Sequence, residues 1–357
     1  MKIAVYAISK NEAQFVRRWV ESMGEADEIY VLDTGSEDGT PALLEALGVH
    51  VKRQVVTPWR FDTARNLSLE MVPDDIDICV CTDLDEVFRR GWRTELERAW
   101  LPWVQQAYFR YTWSFQADGS EGLVFQKEKI HARHGFSWVH PVHEVVQYQG
   151  AGEPAVIYLP QVQLDHYPDP TKSRGQYLPL LELAVAEDPA DDRNRHYLGR
   201  EYFFYGRYDD CIRTLKAHLL LPSATWADER AASMTYIARS YGALGNLREA
   251  QRWHLLACGE APWLREVWVS WAEYAYAAAD WHSVLYACSK ALEITDRPLT
   301  YLSDSRCWGS LPYDLGAIAA WHLGIREQAL EWGQQAIMTE PNNKRLQENL
   351  KVYRRSL

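Results

Sequence analysis

The chain has 357 residues, which is long for a single hydrophobic core and predicts two domains. Its 38 basic and 49 acidic side chains give a net charge of −11, which argues against a protein whose main role is to bind nucleic acid. No apolar run predicts a membrane-spanning helix, and the short apolar N-terminus lacks the cleavage site of a signal peptide. Six cysteines without a Cys-x-x-Cys pair predict buried thiols in a reducing, cytoplasmic protein.

Strands and helices alternate from the N-terminus to about residue 85. Apolar runs predict strands at 2–8, 28–32, 49–55 and 76–82, and helical spacing predicts helices at 12–23, from Thr40 as N-cap, and at 63–71. This alternation predicts a mostly parallel sheet that is covered on both faces. Ligands of such sheets bind beyond the carboxyl ends of the strands, so Asp33, Asp83 and Asp85 are expected to face one crevice.

Three carboxylates follow the fourth predicted strand in the segment Asp83-Leu84-Asp85-Glu86. An apolar strand that ends in several carboxylates concentrates negative charge at one point. Hard oxygen ligands of this kind suit Mg²⁺ or Mn²⁺. The alternative is a solvated acidic turn, because a single Asp-x-Asp pattern is common.

Four more strands are predicted at 106–115, 123–130, 139–148 and 155–164, joined by polar or glycine-containing turns. We expect them to form an antiparallel extension that closes one side of the crevice. Histidines that could supply a nitrogen ligand are denser in this region than in the rest of the chain: His131, His134, His140, His143 and His166.

The rest of the chain is predicted to be helical, with four blocks that turn at Gly206, Gly245, Ala279 and Gly324. Each block joins two amphipathic helices, at a spacing of roughly 34–45 residues, and the pattern resembles tetratricopeptide repeats. The predicted organisation is a sheet domain at 1–170, a connecting helix at 171–190, helical repeats at 191–342 and a capping helix at 343–357.

Three further segments accompany the acidic triplet. They are Ile8-Ser9-Lys10-Asn11-Glu12, the run from Val31 to Thr40 (VLDTGSEDGT), and the run from Trp59 to Leu69 (WRFDTARNLSL). In this order and spacing, the four segments resemble family 2 glycosyltransferases of the GT-A fold, over roughly residues 1–170. The resemblance implies an α/β nucleotide-diphospho-sugar transferase domain, followed here by an all-α repeat domain. It also implies an inverting hexosyltransferase that uses a nucleoside-diphosphate sugar, with a UDP-hexose as the default donor.

The resemblance assigns the nucleotide-sugar site to Ile8, Glu12, Asp33, Arg65, Asp83, Lys172 and Arg174. Asp33 is expected to accept a hydrogen bond from a pyrimidine imide N–H, the alternative being an Asx-type turn. Arg65 is expected to bind the base or the diphosphate, the alternative being a salt bridge with Asp62 or Glu70.

The metal ligands implied by the resemblance are Asp85, Asp83 and His166, with Mn²⁺ favoured over Mg²⁺ if an imidazole takes part. His143 is the other candidate nitrogen ligand, although a lone histidine is more often structural. Glu86 is expected to hold Arg89 or Arg90 instead of the metal.

Inversion requires a base that deprotonates the acceptor in line with the leaving group. Glu144, beside His143, is the catalytic candidate, and Asp118 competes with it. Without a catalytic role, Glu144 is expected to pair with Lys127 or Lys129.

The repeats suggest a peptide, protein or glycan acceptor, or a homodimer formed through the helices. Two other functions stay open: an inactive interaction scaffold, and a sugar nucleotidyltransferase. The second normally has a glycine-rich, basic loop after its first strand, and Ser9-Lys10-Asn11-Glu12 is not such a loop.

Overall fold

The computed structural model describes residues 1–116, 118–170, 175 and 177–355. The chain divides into two compact units. The first comprises Met1–Ala184 and Leu299–Tyr301, and the second comprises Val185–Pro298 and Leu302–Leu357. Among the described residues, no helix has both the length and the apolar character needed to cross a membrane.

The first unit is built on a sheet whose strands, as far as the chain is described, lie in the order β3-β2-β1-β4-β7-β6-β10-β5. Strands β1 to β4 are parallel to their neighbours in this group, and β6 is parallel to β10. Strand β7 is antiparallel to β4 and β6, and β5 is antiparallel to β10. The strands of this sheet are β1 (Ile3–Ser9), β2 (Glu28–Asp33), β3 (His50–Arg53), β4 (Ile78–Cys81), β5 (Glu86–Phe88), β6 (Gln106–Thr112), β7 (Val124–Ala132) and β10 (Val156–His166).

Helices cover both faces of the sheet, because the central strands are apolar on both sides. Val5, Val31 and Val80 pack against Trp19 and Leu44 on one face. On the other face, Tyr6 and Cys81 belong to a second cluster with Leu69 and Trp138. The helices of this unit are α1 (Ala13–Met23), α2 (Thr40–Ala46), α3 (Phe61–Leu69), α4 (Trp92–Ala99) and α5 (Tyr177–Glu187), of which α5 continues past the boundary between the units.

Two local expectations are corrected by the structure. Helix α2 already includes Thr40, with Gly39 as its N-cap, because the Thr40 hydroxyl accepts a hydrogen bond from the Glu12 amide at 2.8 Å instead of capping the helix. The segment predicted as one strand at 139–148 is a hairpin of β8 (Phe136–Val139) and β9 (Val145–Tyr148). The loop between these strands contains His140 and His143 at positive φ, a conformation that a continuous strand cannot contain.

The second unit contains consecutive helices that pack as antiparallel pairs. The pairs are α6 (Asp192–Phe204) with α7 (Tyr208–His218), α8 (Ala227–Ala243) with α9 (Leu247–Glu260), α10 (Arg265–Ala277) with α11 (Trp281–Glu293), and α12 (Leu311–His322) with α13 (Arg326–Thr339). Helix α14 (Lys344–Arg355) packs on α13 through Leu346, Leu350 and Tyr353. This confirms the all-α repeat fold expected for the second half.

The turns within the four pairs use the small residues that the sequence pattern singled out. Gly206, Gly245 and Gly324 have φ of 71°, 76° and 77°, and Ala279 has φ of 53°. Glycine adopts this left-handed conformation without a steric penalty. Between α11 and α12 an additional segment contains a 3₁₀ turn at Ser305–Trp308, which explains the longest spacing in the repeat.

Candidate active site

The carboxyl ends of β2, β1 and β4 lie side by side at one edge of the sheet. Ser9 lies opposite Asp33, and Tyr6 lies opposite Cys81, so β2 and β4 flank β1. The spacing of neighbouring strands is ~4.8 Å, so β2 and β4 lie about 10 Å apart on either side of β1. The segments that begin at Asp33 and Asp83 therefore open on the same edge.

Asp33 is buried and forms the Asx-type turn that was the alternative interpretation of this residue. It is 1% exposed, and its Oδ1 accepts hydrogen bonds from the amides of Gly35 and Ser36 at 3.2 and 3.0 Å. Its Oδ2 accepts hydrogen bonds from the hydroxyls of Ser9 and Ser36. These bonds fix the carboxylate at the end of β2. The nucleobase contact stays a prediction.

Arg65 connects two carboxylates that are far apart in the sequence. Its side chain is 3% exposed, its Nε donates to Glu144 at 3.0 Å, and its Nη2 pairs with Asp83. Nη1 donates to the carbonyl of Thr82 at 3.3 Å. Burial disfavours the charged guanidinium, but Asp83 above all, with Cys81 and Glu144, raises the pKa of Arg65 well above its ordinary value. The suggested salt bridges with Asp62 and Glu70 do not form, and Asp62 pairs with Arg60 instead.

Asp83 has a second cationic partner in Lys129, whose ammonium group lies 2.9 Å from Oδ2. Burial opposes ionisation of Asp83, but Arg65 and Lys129 hold the pKa of Asp83 well below its usual range. Burial disfavours the charged ammonium of Lys129 as well, but Asp83 and then Glu86 raise the pKa of Lys129 above its ordinary value. Asp83 is therefore a carboxylate whose charge is balanced by protein cations.

Glu86 is a buried anchor of the acidic segment, and the expected pairing with Arg89 or Arg90 is wrong. Its carboxylate accepts hydrogen bonds from the Asp83 amide at 2.8 Å and from the Tyr111 hydroxyl at 2.7 Å. Its cationic neighbours are Lys127 at 3.5 Å and Lys129 at 3.9 Å. Arg89 pairs with Asp165 at 3.0 Å and also contacts Glu121. Glu86 therefore holds the turn after β4 in place.

Asp85 differs from its neighbours because, in the described part of the chain, no lysine or arginine pairs with it. Its Oδ2 lies 3.4 Å from Nε2 of His166. The other ring nitrogen of His166, Nδ1, donates to the carbonyl of Trp113 at 2.9 Å, and the Trp113 ring stacks on the imidazole. Burial disfavours a charged imidazole, but Asp85 raises the pKa of His166 overall. The negative charge of Asp85, which favours a proton at Nε2, also favours a metal ion at this position.

This arrangement fits a divalent metal ion held by Asp85 and His166. Two ligands of one such ion lie about 3–3.5 Å apart, because each bond is about 2.0–2.2 Å long. An imidazole whose other nitrogen is hydrogen-bonded to the protein has the orientation of a metal ligand. Asp83 does not join this pair. Among the described residues, the only group of three His, Cys, Asp or Glu ligands within 4.8 Å of one another lies in the helical unit.

The other histidines of this region have different environments. His131 is fully buried, its Nε2 lies 2.7 Å from the Tyr6 hydroxyl, and Trp138 donates to the same hydroxyl at 2.8 Å. Burial lowers the pKa of His131 to about 4, so it is a neutral core residue. His143 lies in the β8–β9 loop, where its ring centroid is 5.8 Å from that of Tyr177.

The first 133 residues have a recognisable relationship to known proteins. Residues 5–133 match the family model described as Glycosyl transferase family 2. Over these residues the N-terminal unit is similar to family 2 glycosyltransferases. The match covers the four segments quoted from the sequence, including Asp33, Arg65, Asp83 and Asp85, and ends just beyond β7.

Individual relatives agree with this assignment. A protein described as an uncharacterized glycosyltransferase from Rickettsia bellii is 32% identical over 111 residues, which is 31% of this chain and 36% of the relative. A protein with the same description from Rickettsia felis is 31% identical over 111 residues, which is 31% of this chain and 38% of the relative. The chain thus spans little more than a third of the length of these relatives.

Solved structures that resemble the chain include the crystal structure of MamA. The similarity has a TM-score of 0.38 and 15% sequence identity, and it covers 50% of this chain and 99% of MamA. No functional inference follows from a similarity at this level.

Glu144, the candidate base, directly follows His143 in the β8–β9 loop. Its side chain is 11% exposed, and its Oε1 accepts the hydrogen bond from Arg65. Among the described residues, Oε2 accepts no hydrogen bond, so one oxygen is left for a proton. The expected pairing of Glu144 with Lys127 or Lys129 is wrong, because Arg65 takes that place and the lysines face Glu86 and Asp83.

Asp118, the competing base, lies in an exposed turn of the described chain. Its Oδ1 accepts hydrogen bonds from the amide and hydroxyl of Ser120 at 2.9 and 2.6 Å. These bonds lower the pKa of Asp118 and explain the residue as a turn former. The geometry therefore favours Glu144 over Asp118.

The other residues predicted to bind the nucleotide sugar are Ile8, Glu12, Lys172 and Arg174, and the structure describes the first two. Ile8 is 8% exposed and packs with Leu32 and Ala64 beside the edge of the sheet. Glu12 is buried at the start of α1. Lys172 and Arg174 lie outside the described residues, so their assignment to the diphosphate stays a prediction.

Two features of the site were missed from the sequence. Lys127 and Lys129 supply the positive charge beside Asp83 and Glu86, and their spacing of two residues along β7 was an available signal that they share a face. The Trp113 carbonyl that orients His166 left no signal, because a backbone contact across strands does not depend on residue type.

Proposed function

We propose that this protein is a metal-dependent, inverting hexosyltransferase that transfers a sugar from a nucleoside diphosphate, with a UDP-hexose as the default donor. The observation that carries the proposal is the 3.4 Å approach of Asp85 and His166 within a domain of the glycosyltransferase family. Asp83 and Glu86 have lysine or arginine partners, whereas Asp85 is left with an imidazole. A carboxylate and an imidazole of this kind suit Mn²⁺.

In this proposal the two ends of the crevice have separate roles. The turn at Asp33 lies at the end of β2 and receives the nucleobase. Asp85 and His166 would hold the ion that the diphosphate needs. The metal, when bound, neutralises charge on the departing diphosphate.

Glu144 acts as the base in the proposed reaction. The acceptor hydroxyl gives its proton to Oε2 of Glu144 while its oxygen forms a bond to the anomeric carbon. The bond between that carbon and the diphosphate oxygen breaks, and its electron pair leaves with the diphosphate. Arg65 holds Oε1 and so orients the carboxylate. Attack opposite the leaving group inverts the anomeric configuration.

The acceptor is proposed to be a peptide, a protein or a glycan. Paired helices like those of the second unit form extended surfaces in other repeat proteins, which supports a polymeric acceptor or a second copy of the chain as partner. The six cysteines are buried and unpaired, which supports a reducing, cytoplasmic location.

The experiment measures thermal stability and turnover with a panel of UDP-, GDP-, CDP- and dTDP-sugars, each with and without Mn²⁺. The expected donor raises the melting temperature only when Mn²⁺ is present, because ligands that bind only the folded state stabilise it. Asp85→Asn should remove this metal-dependent increase and turnover together. Glu144→Gln should keep the increase and lower kcat by about 10²–10⁴-fold.

Asp75→Asn is a matched control, because Asp75 pairs with Lys2 just before β1 begins, at the opposite edge of the sheet. This variant should behave like the wild type. If Asp85→Asn still responds fully to metal and donor, the metal assignment is wrong. If no donor is hydrolysed or transferred by the wild type under any condition, the inactive scaffold is the better interpretation.

A further inference from the structure

Three consecutive helices of the second unit bring potential metal ligands together at one end. Asp192 is the first residue of α6, His218 is the last residue of α7, and Glu229 lies in the first turn of α8. Neighbouring helices run in opposite directions, so these three positions share one end of the stack. One ligand atom from each residue lies within 4.8 Å of the others.

The histidine of this group has a buried nitrogen that its surroundings do not satisfy. His218 is fully buried, and within the described chain its Nε2 makes no hydrogen bond. The Oε1 atom of Glu229 lies 3.4 Å from this nitrogen, which exceeds the usual length of an N–H···O hydrogen bond. Two ligands of a tetrahedral zinc ion lie about 3.4 Å apart, since Zn–N and Zn–O bonds are about 2.0–2.2 Å long.

A hydrogen-bond chain holds the ring of His218 in the orientation that metal binding needs. The hydroxyl of Ser233 lies 3.0 Å from Nδ1 of His218 and 2.7 Å from Nδ1 of His196. His196 is itself fully buried and makes this contact through its Nδ1. His196 can then accept the serine proton while the serine oxygen accepts Nδ1–H of His218. This arrangement leaves a lone pair on Nε2, the form that binds metal.

The degree of burial of the three residues suggests how an ion reaches the site. His218 and Glu229 are 0% and 4% exposed, whereas Asp192 is only half-buried. Two carboxylates and one imidazole satisfy a divalent ion and leave a fourth position on the exposed side for water. The helix dipoles also favour these charges, because carboxylates are stabilised at the start of α6 and α8 and a cation is stabilised at the end of α7.

We propose that Asp192, His218 and Glu229 bind a divalent transition-metal ion of the Zn²⁺ type, which joins α6, α7 and α8. The site is separate from the metal site proposed for the glycosyltransferase domain and does not depend on it. Its role is structural, because an ion bound by three helices opposes the separation of the first helix pair from the second.

The test uses the full-length Asp85→Asn protein, so that an ion in the crevice does not contribute. After treatment with a chelator, the protein is given Zn²⁺, passed through a desalting column and analysed for metal content. We expect about one Zn²⁺ per chain. At about 100-fold excess of Zn²⁺ over Kd the melting temperature should rise by roughly 5–10 °C.

Adding Glu229→Gln or His218→Gln to this background should abolish both the bound Zn²⁺ and the increase in melting temperature. His254→Gln is the matched control, because His254 is also a buried helical histidine with an unsatisfied Nδ1, but it is not part of the ligand group. It should bind Zn²⁺ like its parent. Asp192→Asn, at a half-buried position, keeps the test valid if the buried variants do not fold, and should weaken Zn²⁺ binding by at least tenfold.

Cobalt provides a second measurement. Co²⁺ in a four-coordinate site absorbs visible light strongly, so the Asp85→Asn protein should become coloured and the further Asp192→Asn variant should not. The proposal is overturned if the Asp85→Asn protein binds neither ion, or if Asp192→Asn binds Zn²⁺ as tightly as its parent. His218 and Glu229 would then be a simple ion pair.

Discussion

The charges around the end of β4 are balanced by specific side chains. Asp83, Glu86 and Glu144 face the cations Arg65, Lys127 and Lys129. A buried charge without a partner is costly, so each of these residues depends on the others. Asp85 is outside this balance and is therefore the carboxylate available to an ion.

The two lysines of β7 should contribute very differently to stability. Lys129→Met should lower the free energy of unfolding by about 2–4 kcal/mol, because Asp83 loses a partner at 2.9 Å. Lys127→Met should cost less, about 1 kcal/mol or below, because burial and Lys129 already lower the pKa of Lys127 and disfavour its charge. Urea denaturation of both variants measures the difference. Equal losses would contradict the role assigned to Lys129.

At the scale of the elements, the four turns of the helical pairs differ in one residue. Gly206, Gly245 and Gly324 adopt positive φ, and a Cβ at any of them would meet no atom within 4 Å. The cost of a side chain at these turns is therefore conformational and not steric. Ala279 takes the same conformation with a Cβ.

Replacing Ala279 by glycine should raise the stability of the helical unit by roughly 0.5–1 kcal/mol. A residue with a Cβ is strained by about 1–2 kcal/mol in the left-handed conformation, and glycine removes this strain. The gain is larger than the roughly 0.5–1 kcal/mol of extra conformational entropy that glycine loses on folding. The reverse change, Gly245→Ala, should destabilise by about 1 kcal/mol. Thermal unfolding of the two variants provides the measurement, and a loss of stability in Ala279→Gly would refute the argument.

The sequence predicts the elements whose signals are local. The apolar run before Asp83 predicts β4, and the small residues at the four turns predict the helical pairs, because each depends on neighbours in the chain. The segment 139–148 was predicted wrongly as one strand, although Pro141 within it was an available signal against a continuous strand. The positive φ of His140 and His143 is set by the loop and not by a local pattern. The partners of Arg65 could not be predicted either, because Asp83 and Glu144 reach it only through the tertiary fold.

At the scale of the whole molecule, both units contain buried histidines whose charged form is disfavoured. Burial lowers the pKa of His131 in the first unit to about 4. In the second unit it lowers the pKa of His196 and of His254 to about 3. The ordinary value of 6.5 applies to the unfolded chain, so the unfolded state binds more protons below that pH.

Acidification from pH 7 to pH 5 should therefore destabilise both units. For each of these histidines, the free energy of unfolding falls by up to about 1.4 kcal/mol for each pH unit below 6.5, until the pH reaches the pKa of that histidine in the folded state. Urea unfolding at the two pH values measures the loss. Replacing His254 by Gln should make the unfolding of the helical unit less dependent on pH. An unchanged dependence in this variant would show that other groups are responsible.

The guanidinium of Arg65 has a consequence for redesign of the crevice. This rigid, planar group pairs with Asp83 in the turn after β4 and with Glu144 in the loop between β8 and β9. The proposed donor and acceptor sides of the crevice are therefore held by the same side chain. An engineer who exchanges either carboxylate to alter substrate choice also releases the opposite wall. New specificities at this edge are best sought by varying all three positions in one library.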